Sequence, residues 1–320
     1  MEQVSLLSRG SSISSLISQI RWEDTIMQEI KVNPIIKKDL RVSSRSMKLA
    51  WELFGYVAIQ AGVFILMFSA LRSLGGYTYG VEMYQSFIAF FPVLAITQLG
   101  IISISIPVIT ASSVSGEREK GTLDTLLTTT TSYFSIVFGK MMSAVIRIMI
   151  FILASIPLMA ISFMVGGLSW AVLIEFIFHA FVFAILAGSI GVYCSSKCKK
   201  TISSVLLSFG IYFLIAGASF VPMIVVYIMF ANSGYNVLEN ALRSTFILQL
   251  INPVMSFVAF FFMRLTSEDI IEDVFDTIFL GNTNVWLVLS VICQLALAYF
   301  FLRRAANRIN PLNEKVIKLK

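Results

Sequence analysis

Charged residues and histidine are scarce in this sequence. Asp, Glu, Lys and Arg make up only 13% of the 320 residues, and His179 is the sole histidine. A soluble domain of this length needs more polar surface, so a membrane protein is expected. One histidine also excludes any site that requires two. The three cysteines, Cys194, Cys198 and Cys293, give no disulfide framework, and no further cysteine or histidine completes a metal site around the CxxxC pair.

Nucleotide-binding and catalytic motifs are also missing. No GxxxxGK[ST] phosphate loop occurs, so the chain is not expected to hydrolyse ATP or to hold a cofactor of its own. No HExxH motif, paired intramembrane aspartates or Ser–His constellation is present either. These absences argue against a protease or a lipid-modifying enzyme within the membrane.

Long apolar runs are what the sequence has instead, since 57% of its residues are hydrophobic. Six runs approach or exceed the roughly 20 residues that cross a bilayer core. The pattern predicts an all-α polytopic membrane protein with a transmembrane domain at 49–302, between an N-terminal cytoplasmic arm at 1–48 and a basic cytoplasmic tail at 303–320. The predicted spans lie at about 49–71, 86–111, 141–164, 169–193, 202–230 and 285–302.

The distribution of positive charge predicts the orientation. With six spans and both termini in the cytoplasm, 20 of the 24 Lys and Arg residues fall on the cytoplasmic side. The net charge of +6 therefore reflects topology, and no nucleic-acid partner is expected. A seventh apolar run, Phe246–Met263, is interrupted by Asn252 and Pro253, which form a typical helix start. We expect it to be a re-entrant element on the outer side, between spans five and six.

The N-terminal arm contains a second helix start at Asn33 and Pro34, the N-cap and first helical position. Lys37, Lys38 and Arg41 follow beside an apolar face. This pattern favours an amphipathic helix lying on membrane lipid, although an ordinary solvated helix remains the alternative.

The segment after the second span carries four consecutive charges, Glu117, Arg118, Glu119 and Lys120. Because each charge costs roughly 3 kcal/mol to insert into a membrane, the second span is predicted to end by Ser115. Gly121 is expected to break the helix. A second helical piece should follow, with Thr122 as its cap and Asp124 in its first turn, where the helix dipole favours a negative charge. Three leucines share one face of this piece: Leu123, Leu126 and Leu127. Such a helix can bind a groove of a soluble partner or rest on lipid, and its geometry leaves both open.

Ionisable residues within the predicted spans are few. Glu175 and His179 are spaced i, i+4 on the fourth span, where a proton relay, a substrate contact or a structural hydrogen bond would fit. Arg147 lies near the cytoplasmic end of the third span, where its side chain can extend to the headgroups. A direct pair between Arg147 and Glu175 is not expected, because they enter from opposite sides. Small residues on spans four and five, including Gly188, Gly191 and Gly210, favour close helix packing within the subunit or at a dimer interface.

The segment Glu117–Leu127 resembles the signature of permease subunits of type-2 ABC exporters, as do Asn33–Arg41 and the Gly139-Lys140 pair. The resemblance implies that residues 117–127 form a coupling helix on a separate ATP-binding subunit, present in two copies and carrying ATP and Mg. It also implies a second permease chain, identical or related, and a bacterial cytoplasmic membrane location. An ion-gradient-driven secondary transporter and a non-transporting membrane scaffold are the alternatives, and the sequence leaves the substrate open.

Overall fold

The computed structural model describes residues 34–44, 46–74, 90–123, 132–166, 169–230, 245, 248–265 and 283–310. All regular secondary structure in these ranges is helical, as the composition predicts. In chain order the helices are α1 (Pro34–Ser44), α2 (Met47–Leu74), α3 (Phe90–Glu119), α4 (Tyr133–Gly166), α5 (Trp170–Lys197), α6 (Thr201–Ala218), α7 (Phe220–Phe230), α8 (Pro253–Leu265) and α9 (Thr283–Ile309).

Within these ranges, six helical segments are long and apolar enough to cross a membrane: α2, α3, α4, α5, α6 continued by α7, and α9. This confirms the six predicted spans, but several helices extend beyond the predicted limits. Helix α3 runs past Ser115 to Glu119, and α9 reaches Ile309. Helix α4 begins at Tyr133 rather than near 141, because the Ser132 hydroxyl accepts a hydrogen bond from the Ser135 amide at 3.2 Å and caps the first turn.

The fifth predicted span is divided in two at Ser219, which separates α6 from α7. Pro222 explains the position of the break. A proline ring clashes with the carbonyl of the residue four positions earlier, which is Ala218, the last residue of α6. The sequence therefore contained a signal for this interruption that its continuous hydropathy concealed.

Helix α5 is the central helix of the bundle and packs most extensively against α3 and α9. Its glycines allow this close approach. A Cβ atom built on Gly191 would lie 1.8 Å from the Thr110 Oγ1 atom and 2.9 Å from the Thr110 Cβ atom of α3. A Cβ atom on Gly188 would lie 3.3 Å from Met141 of α4. The packing within one chain that the small residues predict is therefore present around α5.

In contrast, α2 and the α6–α7 segment are little covered by the rest of the described chain. Large apolar side chains such as Leu66, Leu206 and Ile228 are exposed on them. No other part of the described chain lies within 4 Å of a Cβ atom built on Gly210 of α6. These surfaces fit contact with lipid chains or with another protein in the membrane.

Helix α8 begins where the sequence predicts. The Asn252 Oδ1 atom accepts hydrogen bonds from the amides of Val254 at 2.9 Å and Met255 at 3.4 Å, and Pro253 occupies the first helical position. The Asn252 Nδ2 atom donates to the Ala216 carbonyl at 3.1 Å and to the Ser219 Oγ atom at 2.8 Å. The polar side chain of Asn252, which interrupts the apolar run, is thus satisfied by the end of α6, and the re-entrant placement of α8 stays a prediction.

Candidate functional site: a charged junction of four helices

The end of α3 meets the start of α4, the end of α5 and the start of α6. We call this contact the charged junction and define it by Glu117, Arg118, Glu119, Lys140 and Thr201. Helix α3 ends just before Gly121, which has a φ of +69° in the left-handed region that favours glycine. The Gly121 amide donates to the Arg118 carbonyl at 3.2 Å, and the Thr122 amide donates to the Glu117 carbonyl at 2.9 Å. This is the Schellman pattern of a helix end, so the predicted break at Gly121 is confirmed.

Glu117 joins α3 to α4. The Lys140 side chain is only 6% exposed, and its Nζ atom lies 2.6 Å from the Glu117 Oε1 atom. The same ammonium donates to the Ser113 carbonyl at 2.8 Å. A buried ammonium is tolerated only when a counter-charge and further hydrogen bonds satisfy it, and this arrangement supplies both.

Arg118 and Glu119 join α3 to the neighbouring ends of α5 and α6. The Arg118 guanidinium donates to the carbonyls of Cys198 at 3.0 Å and Ser196 at 3.5 Å, where the dipole of α5 favours a cation. The Glu119 carboxylate accepts from the Thr201 amide at 2.9 Å and from the Thr201 hydroxyl at 2.7 Å. Lys200, the N-cap residue of α6, makes no side-chain cap, so Glu119 supplies the capping acceptor from a different helix.

A serine of α5 strengthens the same contact. The Ser195 Oγ atom accepts hydrogen bonds from the backbone amides of Val114 and Ser115, both at 2.9 Å. The Ser195 side chain is fully buried and lies one turn beyond Gly191, where the two helices are closest. The end of α3 is therefore fixed to α5 through its backbone as well as through Arg118.

Three of the four consecutive charges thus bind other helices of the same chain, while the Lys120 side chain is exposed. Thr122 is exposed, and its hydroxyl donates back to the Glu117 carbonyl at 3.3 Å. Leu123 is partly buried and packs against the core. Asp124, Leu126 and Leu127, the rest of the predicted coupling element, lie outside the described residues.

Comparison with known proteins decides the family. The family model of the ABC-2 family transporter proteins matches residues 23–305, which is most of the chain. The chain belongs to this family. A comparison with curated proteins gives no match. The family and the six apolar helices together make the chain a multi-pass transmembrane transport permease.

Arg147 and Glu175 of the permease each form an ion pair, although not with each other. The Arg147 guanidinium on α4 forms an ion pair with the Glu52 carboxylate on α2. The Glu175 carboxylate on α5 binds Arg264 of α8 through two hydrogen bonds, of 2.9 and 3.2 Å. The prediction that Arg147 and Glu175 do not pair directly is confirmed. The sequence analysis did not identify their partners, which are Glu52 and Arg264.

His179 is buried on α5 beside the α8 ring of Phe260, with 5.3 Å between the ring centroids. Its Nδ1 atom lies 2.9 Å from the Glu175 carbonyl of the preceding turn. Among the described residues, its Nε2 atom has no hydrogen-bond partner. His179 and Glu175 share a face as predicted, and the Glu175 carboxylate binds Arg264. The proton-relay, substrate-contact and structural roles of this pair stay predictions.

Helix α1 begins at Pro34, as predicted, while Asn33 lies outside the described residues. It packs on α4, and the Ser143 hydroxyl donates to the Asp39 Oδ2 atom at 3.3 Å. Lys37 is partly buried, whereas Lys38 and Arg41 are exposed. Helix α1 is docked on the bundle through α4, and whether its outer side contacts lipid or solvent stays a prediction.

Sequence reasoning missed Glu52, Thr201 and Arg264 as partners of the permease's charged residues. Glu52 had a weak signal, because it is a lone acid early in a predicted span and membrane carboxylates need a counter-charge. No sequence signal indicated Thr201 or Arg264, since their contacts join residues more than 80 positions apart in the chain.

Proposed function

We propose that the permease is the transmembrane subunit of an ABC exporter, which moves its substrate outward with ATP hydrolysed by a separate ATP-binding subunit. The observation that carries this proposal is the charged junction. Residues at the start of the predicted coupling element bind α4, α5 and α6, so a force applied at this element would reach four helices together.

The mechanism follows from these contacts. Closure of two ATP-binding subunits would displace residues 115–130, and the Leu123–Leu127 face would be the part that docks on them. Glu117, Arg118 and Glu119 act as the linkage, because their side chains are already used within the chain. Movement of α3 then pulls α4 through Lys140 and α6 through Thr201, which tilts the spans and opens a path outward.

The proposed assembly contains two permease chains, identical or related, and two ATP-binding subunits. ATP and Mg would bind to the ATP-binding subunits, because the permease has no phosphate-binding loop of its own. The sparsely covered surfaces of α2 and α6–α7 provide room for a second chain. Most of the positive charge lies at the helix ends on the side of the charged junction. We therefore place both termini on the cytoplasmic side of a bacterial inner or plasma membrane.

The test uses the double substitution Leu126→Ser and Leu127→Ser in the full-length tagged permease, extracted from its native membrane. The measured quantity is the amount of the co-purifying polypeptide that contains a Walker phosphate loop. Docking would bury both leucine side chains, so replacing them should cost about 3 kcal/mol, or roughly a hundredfold in affinity, and the ATP-binding subunit should be lost.

Ile202→Ser is the matched control, because Ile202 is an exposed apolar residue beside Thr201 at the same end of the bundle. This variant should keep the ATP-binding subunit. Unchanged co-purification in the double variant, or an equal loss in the control, would count against docking through the leucine face.

A further inference from the structure

A cavity of about 470 Å³ lies between α1, α3, α4 and the start of α2. Among the described residues that line it, four are cationic and Asp39 is the one acidic residue. The cations are Lys38, Lys48, Lys140 and Arg147. Its volume is within the roughly 300–1,000 Å³ of ligand sites. The excess of positive charge favours an anionic ligand.

Two of these cations are free to bind such a ligand. Lys140 is held by Glu117, Arg147 is held by Glu52, and the Asp39 carboxylate accepts from Ser143. Among the residues that the structure describes, no ion pair or hydrogen bond engages the ammonium groups of Lys38 and Lys48. Both side chains are exposed at the mouth of the cavity. Together, the paired cations in the wall and the free lysines at the entrance produce a positive potential that attracts a phosphate group.

An apolar groove adjoins this cavity and suits an apolar part of the ligand, such as an acyl chain. The groove, also of about 470 Å³, runs along α2 and is lined by Leu49, Ala50, Leu53, Phe54 and Val57. Ser46 lines both the groove and the cavity, so the two spaces adjoin at this residue. A free phosphate would use the cavity alone, whereas a lipid would place its headgroup in the cavity and one chain in the groove.

The neighbouring side chains fit the boundary between headgroups and lipid chains. Trp51 is 69% exposed and packs edge-on against Phe54, with 6.0 Å between the ring centroids. Tryptophan is enriched at the level of the headgroups, where its ring is partly apolar and partly polar. Val42 and Met47 are also exposed at the ends of α1 and α2. This end of the permease is therefore built to meet the membrane surface.

We propose that the cavity and groove bind one molecule of anionic phospholipid, with its phosphate at Lys38 and Lys48 and one acyl chain along the α2 groove. Basic pockets beside membrane helices recognise anionic headgroups through these interactions. The site is independent of the ATP-binding subunit. The bound lipid fixes α1 to α2 and α4, and it lies next to the Lys140 side of the charged junction.

The experiment titrates the purified full-length permease in detergent with phosphatidylglycerol, phosphatidylcholine or inorganic phosphate, and measures bound ligand by native mass spectrometry. Phosphatidylglycerol should bind well and phosphatidylcholine weakly. Lys38→Gln with Lys48→Gln should weaken phosphatidylglycerol binding by roughly 30-fold, and each single variant by roughly fivefold. Lys197→Gln with Lys199→Gln removes the same charge from exposed positions at the end of α5 and should leave binding unchanged.

Ala50→Trp separates the two sources of phosphate, because it fills the groove and leaves the cavity free. It should weaken phosphatidylglycerol binding without changing the binding of inorganic phosphate. Equal loss in both lysine pairs, equal binding of phosphatidylcholine, or lipid binding that Ala50→Trp does not alter would each overturn the proposal. Because Lys38, Lys48 and Ala50 are exposed, the variants should keep the thermal unfolding profile of the wild type.

Discussion

Replacing Gly191 with alanine should destabilise the permease by about 3 kcal/mol or more. Overpacking a well-packed contact typically costs about 1–3 kcal/mol, and this site is tighter than most. The new Cβ atom would meet the Thr110 Oγ1 atom at 1.8 Å and the Thr110 Cβ atom at 2.9 Å. The Thr110 Cβ atom is fixed to the backbone of α3, so relief requires the two helices to move apart. Such a movement would also disturb the Ser195 hydrogen bonds one turn away.

Thermal unfolding in detergent measures this effect, with a thiol-reactive dye that reports exposure of the fully buried Cys194. Cys198 and Cys293 are only partly buried and are first replaced with serine. Gly210→Ala is the matched control on α6, where none of the residues that the structure describes approaches within 4 Å of the new Cβ atom. It should leave stability unchanged or raise it by up to about 1 kcal/mol.

Thr110→Ala combined with Gly191→Ala should recover part of the loss, because it removes the atom at 1.8 Å and retains the one at 2.9 Å. If Gly191→Ala and Gly210→Ala gave equal unfolding temperatures, the close approach of α3 and α5 would be wrong.

Replacing Glu117 with glutamine should have the second largest effect, a loss of about 2–3 kcal/mol. The Lys140 ammonium is buried, and the glutamine amide keeps an acceptor oxygen beside it but removes the negative charge that balances it. Removing one partner of a buried pair typically costs about 3–5 kcal/mol. Because Glu117 is itself 30% exposed, we expect the loss of stability to lie at or below the low end of this range.

A double-mutant cycle with Lys140→Met measures the pair, again by thermal unfolding in detergent. The double variant should recover most of the loss, because it leaves no unpaired charge in the wall of the junction. Lys120→Met is the control, since Lys120 belongs to the same charge run but is exposed, and its effect should stay within about 0.5 kcal/mol. Strictly additive single effects would contradict a direct bond between Glu117 and Lys140.

Local patterns were sufficient for the elements of the fold. Apolar runs predicted six spans, Asn252-Pro253 predicted the start of α8, and Gly121 predicted the end of α3. Each of these signals operates within a few residues, through hydropathy, capping or a positive φ. The division of α6 from α7 was missed because the apolar run is continuous, although Pro222 marked it.

The sequence predicted where the charges of the junction lie in the chain but not which helices they contact. The sequence placed Glu117, Arg118 and Glu119 outside the membrane but suggested that they face a partner protein. The structure places them against α4 and the ends of α5 and α6, while their role in coupling to a partner protein stays a prediction. Those contacts depend on which helices are neighbours in space, and hydropathy does not specify this. The leucine face that follows stays a prediction for docking.

Accessibility of the charged junction tests the account most directly, because a partner that hydrolyses cytoplasmic ATP can reach it from only one side. Lys120→Cys, in a chain with Cys198 and Cys293 replaced by serine, places an exposed thiol at the end of α3. A membrane-impermeant maleimide should leave it unlabelled in intact cells and label it once the membrane is opened. Ser233→Cys, in the segment predicted to lie outside, is the control that should react in intact cells. Labelling of Lys120→Cys from the outside of sealed cells would contradict the proposed orientation and, with it, coupling to an ATP-binding subunit.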